Sequence, residues 1–338
     1  MMDFALPPEL QAAGPPESRG LARDEVRLLV SDTAGLTHAV FRELPTFLRP
    51  DDIVVVNNSA TLSAAVDARL GEAAVVVHFS TWLDDGSWVI EVRTTDGRPV
   101  PWHILDIGTE LRLSGGATAV LRQPWLPPAR RLWTADIDVA IPAYLARHGR
   151  PITYAYLRQR WSAQYYQTAF GTVAGSAEMP SAGRPFTAEL VARLVSTGIA
   201  VTPITLHCGV SSPETGEPPS PERFAVSQQT ADRVNATRAA GGRVIAIGTT
   251  VTRALESATG SDGIVHAASG WTDVVLGPQR PAHVVDGLVT GWHAPGASHL
   301  DLLEAVAGAE VVRDAYAAAL DAGYLWHEFG DSALLVRY

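Results

Sequence analysis

Residues 241–258 read GGRVIAIGTTVTRALESA. Two glycines precede an apolar run, Val244–Ile247. Gly248 ends it, and Thr249 and Thr250 open a stretch with helical spacing of its apolar residues. A buried strand turning through one glycine into a helix is the repeating unit of α/β folds, and such a junction turns backbone N–H groups toward a ligand. The stretch has neither the G-x-G-x-x-G of dinucleotide folds nor a phosphate-loop lysine. Arg253 and Glu256 fall three apart on the helix, spaced to pair with each other or to share a ligand. A capped strand–helix junction with an exposed ion pair satisfies the same pattern.

The flanking sequence continues the alternation. QQTADRVNATRAAGG (228–242) reads as a helix closed by glycine, and IAVTPITLHCG (199–209) as a strand interrupted by Pro203. TAELVARLVSTG (187–198) reads as a helix with Thr187 as N-cap and Gly198 as its stop. Farther on, WTDVVLG (271–277) reads as a strand, SHLDLLEAVAG (298–308) and VVRDAYAAALDAG (311–323) as helices, and SALLVRY (332–338) as a closing strand. Near the start, EVRLLVSD (25–32) and DDIVVVNNSA (51–60) read as strands, the second apolar on both faces and therefore central. Between about Thr61 and Ile141 the texture changes to short strand-like runs, AAVVVHFSTW, GSWVIEVRT, TELRLSGG and TAVLRQP, set off by turn residues. The fold expected is an α/β main domain, residues 1–60 with 142–338, carrying an inserted small antiparallel β-barrel-like domain over 61–141.

Composition limits the chemistry. The chain has 338 residues, a formal charge of −10 and no lysine, every cation being arginine. A lysine Schiff base and a Walker lysine are excluded. Cys208 is the only cysteine, so intrachain disulfides and thiolate metal clusters are excluded as well. No apolar run reaches the length of a membrane span, and the first twenty residues lack a secretory pattern, so a cytoplasmic protein is expected.

Three further stretches hold candidates. In QYYQTAFGTVAGSAEMPSAGRPFT (164–187), Tyr165, Tyr166 and Gln167 are suited to stack on and hydrogen-bond a planar base; an aromatic corner reads the same way. His207 lies near the carboxyl end of its strand, where ligands gather in open α/β folds and where a base or a core histidine is equally at home. His293 and His299 lie six apart, but no third ligand has suitable spacing, and no metal is expected.

Taken in order, FALPPEL, LPTFLRPDDIVVVN, IPAYL, YYQT, PSAGRPFT, TLHCG, GGRVIAIGTTVTRALES, HVVDGLVTGWHAP and FGDSALL resemble the S-adenosylmethionine:tRNA ribosyltransferase-isomerases of queuosine biosynthesis over nearly the whole chain. The resemblance implies an α/β domain with an inserted β-barrel. It also implies transfer of the ribosyl part of S-adenosylmethionine to 7-aminomethyl-7-deazaguanine in tRNA, with rearrangement to an epoxycyclopentanediol and loss of adenine and methionine. No permanently bound cofactor is implied; S-adenosylmethionine is a co-substrate, and the partner is tRNA, with neither membrane nor metal. On this reading His207 abstracts a proton beside the sulfonium. Tyr166, Gln167 and Thr168 cradle the adenine. Gly183, Gly248, Thr249, Thr250 and Glu256 line the cofactor site, and Arg253 joins His207 in the catalytic set, placed to meet the methionine carboxylate. Asn57, Arg184 and His293 stand on the acceptor side.

The chain departs from the family pattern at specific points. Asn57-Asn58-Ser59-Ala60 stands for Asn-Asp-Thr-Arg, and Ala65 for a further arginine. Arg184-Pro185 replaces Leu-His, GEPPSPERF keeps at most Glu222 of a Met-His-x-Glu segment, and Gly291-Trp292-His293-Ala294-Pro295-Gly296-Ala297 replaces Asn-Phe-His-x-Pro-Lys-Ser. These changes leave two alternatives open: a diverged paralogue using S-adenosylmethionine with a small-molecule acceptor, or a catalytically silent nucleoside- or RNA-binding protein in which Trp292 or Pro185 fills the pocket.

Overall fold

The computed structural model describes residues 4–154, 156–211 and 219–337, apart from the Trp102 side chain. In chain order the strands are β1 (Arg27–Asp32), β2 (Gly35–Val40), β3 (Ile53–Asn57), β4 (Ser59–Thr61), β5 (Ala65–Leu70), β6 (Ala73–Trp82), β7 (Trp88–Thr94), β8 (Glu110–Leu113), β9 (Thr118–Pro124), β10 (Leu132–Ile137), β11 (Val173–Ser176), β12 (Ala200–Leu206), β13 (Glu222–Val226), β14 (Val244–Ile247), β15 (Ala268–Thr272), β16 (Gly287–Gly291) and β17 (Ser332–Val336). The helices are α1 (Ile141–His148), α2 (Ala188–Ser196), α3 (Gln228–Ala239), α4 (Thr249–Ser257), α5 (His299–Ala307) and α6 (Ala309–Asp321).

Nine of these strands form one mixed sheet in the order β15-β13-β12-β3-β14-β16-β17-β1-β2. Its centre, β12-β3-β14-β16, is parallel, with Val54 opposite both Val201 and Ile245. All five residues of β3 are buried. Ile53 and Val55 enter the core beneath α3 to α6, whereas Val54 and Val56 enter a second core with Phe186, Leu190 and Leu194 of α2 and the stretch before it. That two-sided burial is what an apolar run without alternation requires, and each fully buried aliphatic side chain there contributes roughly 1.5–3 kcal/mol.

Local chemistry sets the helix ends. Thr187 Oγ1 accepts the Leu190 N–H at 3.1 Å, and Ser227 Oγ caps α3 from the Thr230 N–H at 3.1 Å. Gly198 follows α2 with φ of 90°, a conformation that favours glycine. Pro203 is tolerated inside β12 because β13 pairs only with Thr205 and Leu206, while the Pro203 carbonyl accepts Thr230 Oγ1 at 2.7 Å.

The barrel closes in the order β10-β7-β6-β5-β8-β9, so all six of its strands lie between Ala65 and Ile137. Its core includes Val66, Val77, Phe79, Leu111 and Trp133, with Tyr144 and Leu145 of α1 against one end. The short parallel pair β4–β11 links the start of the insertion to the loop before α2.

One strand falls elsewhere than WTDVVLG predicts. The ladder runs over Ala268–Thr272, and residues 273–276 leave it. The Arg253 guanidinium draws this segment out by donating to the carbonyls of Thr272 at 3.2 Å and Val274 at 3.1 Å, which turns Val274 and Leu276 into the helical-side core.

Candidate functional site

The carboxyl ends of β3, β12, β14 and β16 bring Asn57, His207, Gly248 and Gly291 to one edge of the sheet, where the barrel strand β6 also ends. Asn57 ties this edge together. Its amide donates to the Leu206 carbonyl at 2.8 Å and to Thr250 Oγ1 at 3.3 Å, and its Oδ1 accepts the N–H groups of Ser59 and Leu206 at 3.0 Å.

His207 is 8% exposed. Its Nδ1 lies 2.7 Å from Ser59 Oγ, which lies 2.6 Å from Ser176 Oγ, and Ser176 Oγ accepts the Cys208 N–H at 2.9 Å. In the tautomer whose Nδ1–H donates to Ser59, the serine protons run on toward Ser176 and Nε2 presents a lone pair; Nε2 has no partner among the described residues. A side chain at Gly175 would overlap the imidazole, so only glycine leaves the ring room there. From the barrel, Trp82 packs on the same ring at 5.0 Å between centroids. Burial, reinforced by the Arg223 charge, pushes the His207 pKa down to about 4, so the imidazole is neutral throughout the neutral range. Cys208 is buried, and burial raises its thiol.

Arg253 and Glu256 do not pair with each other. Arg253 forms an ion pair with Glu222 and donates to the carbonyls of Ser220 at 3.3 Å, Thr272 and Val274. Glu256 accepts the N–H groups of His283 at 3.0 Å and Val284 at 2.8 Å and so fastens the approach to β16. Both side chains thus find partners elsewhere in the protein instead of the ion pair with each other that their spacing allows. Glu222 also accepts the Gly209 N–H at 3.0 Å, which couples the His207 strand end to Arg253.

The adenine-cradle candidates differ from one another. The Gln167 amide pairs with the backbone of Thr61, at 2.8 Å and 3.1 Å, and Thr168 Oγ1 accepts from the Phe170 N–H at 3.3 Å. Tyr166 is 2% exposed, and its hydroxyl has no hydrogen-bond partner among the described residues. Gly183 lies under Thr168 and Phe170, and Gly248 lies against Ala182. The N–H groups of Thr249 and Thr250 meet no carbonyl acceptor among the described residues. Arg184, an acceptor-side candidate, is buried and held by Glu17 at 2.8 Å and by the Tyr165 carbonyl at 2.9 Å. His293 Nε2 lies 3.0 Å from Thr290 Oγ1, and its ring stacks on His299 at 4.4 Å. Burial holds both rings neutral, His293 well below the usual range and His299 at about 4. Trp292 points away from this edge into a core aromatic cluster with Tyr316, Tyr324 and Trp326. Among the described residues no group of three metal-ligating side chains converges.

Several polar groups at this edge were not singled out from the sequence. Glu178 accepts the Ser211 N–H at 2.8 Å and the Tyr154 hydroxyl, and Tyr156 stacks on His327 at 4.2 Å. His327 is the sole non-glycine residue with positive φ, 74°, among the described residues. Beside it, Glu328 Oε1 is buried without a hydrogen-bond partner among the described residues, and burial together with the Glu178 charge raises the Glu328 pKa to about 8. The alternation Tyr154-x-Tyr156 and the His-Glu pair before Phe329-Gly330-Asp331 were the only local signals of this cluster.

Glu328 makes a stability prediction. Its folded pKa of about 8 lies above the ordinary 4.5, so the unfolded chain ionises first, and stability is lost as pH rises between those values. Glu328→Gln is expected to be more stable than the parent by about 2–4 kcal/mol above pH 8, with no difference near pH 4. Urea unfolding at the two pH values measures this, and an equal difference at both would remove the buried carboxyl as its cause.

The wound sheet, the inserted barrel and a polar edge built around a neutral histidine define an α/β protein that gathers polar side chains at its strand ends. The chain belongs to the family described as queuosine biosynthesis protein, whose model matches residues 1–335. The S-adenosylmethionine:tRNA ribosyltransferase-isomerase of Erythrobacter litoralis is 34% identical, covering 99% of this chain and 97% of its own. The protein of the same name from Moorella thermoacetica is also 34% identical, covering 99% and 98%. The crystal structure of an S-adenosylmethionine tRNA ribosyltransferase from Thermotoga maritima superposes with a TM-score of 0.55 at 28% identity, covering 99% of both chains.

Proposed function

We propose that this protein is an S-adenosylmethionine-dependent ribosyltransferase-isomerase that acts on tRNA, with 7-aminomethyl-7-deazaguanine as the acceptor base and adenine and methionine as products. The observation that carries the reading is the His207–Ser59–Ser176 relay at the carboxyl ends of β3 and β12, joined to Thr250 at the start of α4 through the Asn57 side chain. A sulfonium acidifies the C5′ protons next to it. A neutral imidazole, oriented through Nδ1 and with Nε2 open, is suited to remove one of them. The free N–H groups at the start of α4 suit the methionine carboxylate. Of the three adenine-cradle candidates, Tyr166 keeps an open polar atom for the departing purine. Arg253 and Glu256 act at one remove, holding Glu222 and the β16 approach in place.

The departures from the family pattern bear on the acceptor. Ala65 is buried in the barrel and Arg184 is neutralised by Glu17, so neither offers a cation to a phosphate. Arg147, Arg158 and Arg160 are exposed, and no carboxylate among the described residues pairs with them, which leaves cations available to an RNA backbone. Incubation with S-adenosylmethionine, with and without tRNA bearing the aminomethyl-deazaguanine, tests the reading by mass spectrometry of adenine and methionine. Release that requires the modified tRNA is expected. Equal release without tRNA would transfer the activity to a small-molecule acceptor, and no release in either case would remove the activity.

A further inference from the structure

On the barrel side of His207 lies a cavity of about 340 Å³ to which the reading above gives no task. Trp125, which directly follows β9, and Trp271, in β15, form its walls, Pro221 borders it, and Asp84 and Asp85 stand at its rim. The two indoles are half-buried, 6.2 Å apart between centroids and inclined by 56°, an ordinary tilted contact between two rings that both line the cavity. The Arg223 guanidinium lies 4.5 Å over Trp271 and 5.4 Å from the Trp82 ring, held by the Trp82 carbonyl at 3.1 Å and by Asp84. Trp82 in turn packs on His207. Flat groups therefore continue from the candidate base out to the open cavity: His207, Trp82, Arg223, Trp271, Trp125.

The chemistry of the walls narrows the occupant. A cavity of this size accommodates a compact organic ligand. Indole and guanidinium planes favour a planar π-system over an aliphatic one. Asp84 and Asp85 are kept ionised, Asp84 by Arg223 and Asp85, at about 2, by Ser87 and Arg122, so the charges at the rim are paired. A carboxylate oxygen there is suited to accept an N–H group from the edge of a base. Stacking on aromatic faces is one of the ways in which single-stranded nucleic acid is held, and it tolerates any base because every base has a π-face.

We propose that the Trp125–Trp271 cleft takes an unstacked nucleobase of the RNA, adjacent in the strand to the base that reacts at His207. The proposal rests on the RNA-acceptor reading above. The cleft contributes affinity for looped RNA and leaves the S-adenosylmethionine site untouched.

The test uses the full chain and its Trp271→Ala, Trp125→Ala and Trp271→Phe variants. Fluorescence anisotropy measures binding of a labelled anticodon stem-loop, of a fully paired duplex of the same composition, and, by competition, of a free nucleoside. Trp271→Ala and Trp125→Ala are expected to weaken stem-loop binding about 5- to 100-fold, while Trp271→Phe, which keeps a stacking ring, retains most of it. Duplex binding and S-adenosylmethionine affinity stay unchanged in all variants. Stem-loop affinity equal to that of the parent in both alanine variants overturns the proposal, as does a free nucleoside bound as tightly as the stem-loop. Tryptophan-dependent RNA binding without adenine release would defeat the activity and leave the cleft standing. Adenine release with an unaltered KM for tRNA in both alanine variants would defeat the cleft alone, and a parent that binds no RNA defeats both.

Discussion

His207→Ala is expected to lower adenine release by about 10²- to 10⁴-fold, the range over which a positioned general base contributes, while the melting temperature stays close to that of the parent. The imidazole makes one side-chain hydrogen bond, to Ser59, and packs on Trp82, so its loss removes little packing. The pH profile separates a base from a mere contact. A histidine at its ordinary value of 6.5 places the acidic limb of kcat/KM near that pH. His207, lowered to about 4 by burial and by Arg223, keeps its lone pair down to that pH, so activity is expected to stay flat from pH 8 to pH 5 and to fall only below. Ser59→Ala, which removes the partner of Nδ1, should lower kcat with little change in the KM for S-adenosylmethionine. A His207→Ala rate within threefold of the parent would take this residue out of the reaction.

Arg253→Met is expected to destabilise the fold by about 3–5 kcal/mol, the usual cost of leaving one member of a buried ion pair alone. Glu222 would keep its Gly209 N–H but lose its counter-charge, and the carbonyls of Ser220, Thr272 and Val274 would lose their donor together. Arg253→Lys keeps the charge without the planar fork that reaches several acceptors, and should fall between the two. Chemical denaturation of Arg253→Met and of the double variant Arg253→Met/Glu222→Gln measures the pair, the double variant recovering part of the loss. Unchanged stability with a raised KM for S-adenosylmethionine would instead make Arg253 a ligand contact.

These two residues show how far a linear reading reaches. Gly248, Thr249 and Thr250 are legible because everything that defines them is local: an apolar run, a glycine and the first turn of a helix. The position of His207 is legible for the same reason, since it follows a recognisable strand. The partner of Arg253 is not legible, because Glu256, three residues away on the same helix, is the nearer carboxylate by sequence. Its actual partner, Glu222, lies 31 residues earlier, across the β12–β13 edge. The misplaced strand at WTDVVLG has the same origin: its apolar residues serve the core, but its carbonyls are bound by that arginine.

The order of segments and their periodicity determined, without coordinates, an α/β fold with a strand-rich insertion and the strand ends at which the candidate polar residues stand, since burial patterns and caps depend on neighbours a few residues apart. Only the tertiary structure decided which polar groups face one another there. It spends the Gln167 amide on Thr61 and Arg184 on Glu17, and leaves Tyr166 and Glu328 with open oxygens. It also sets Trp82, Trp271 and Trp125 in sequence beside His207. Contacts of this kind join residues separated by long stretches of chain, and folding, not spacing, sets their geometry.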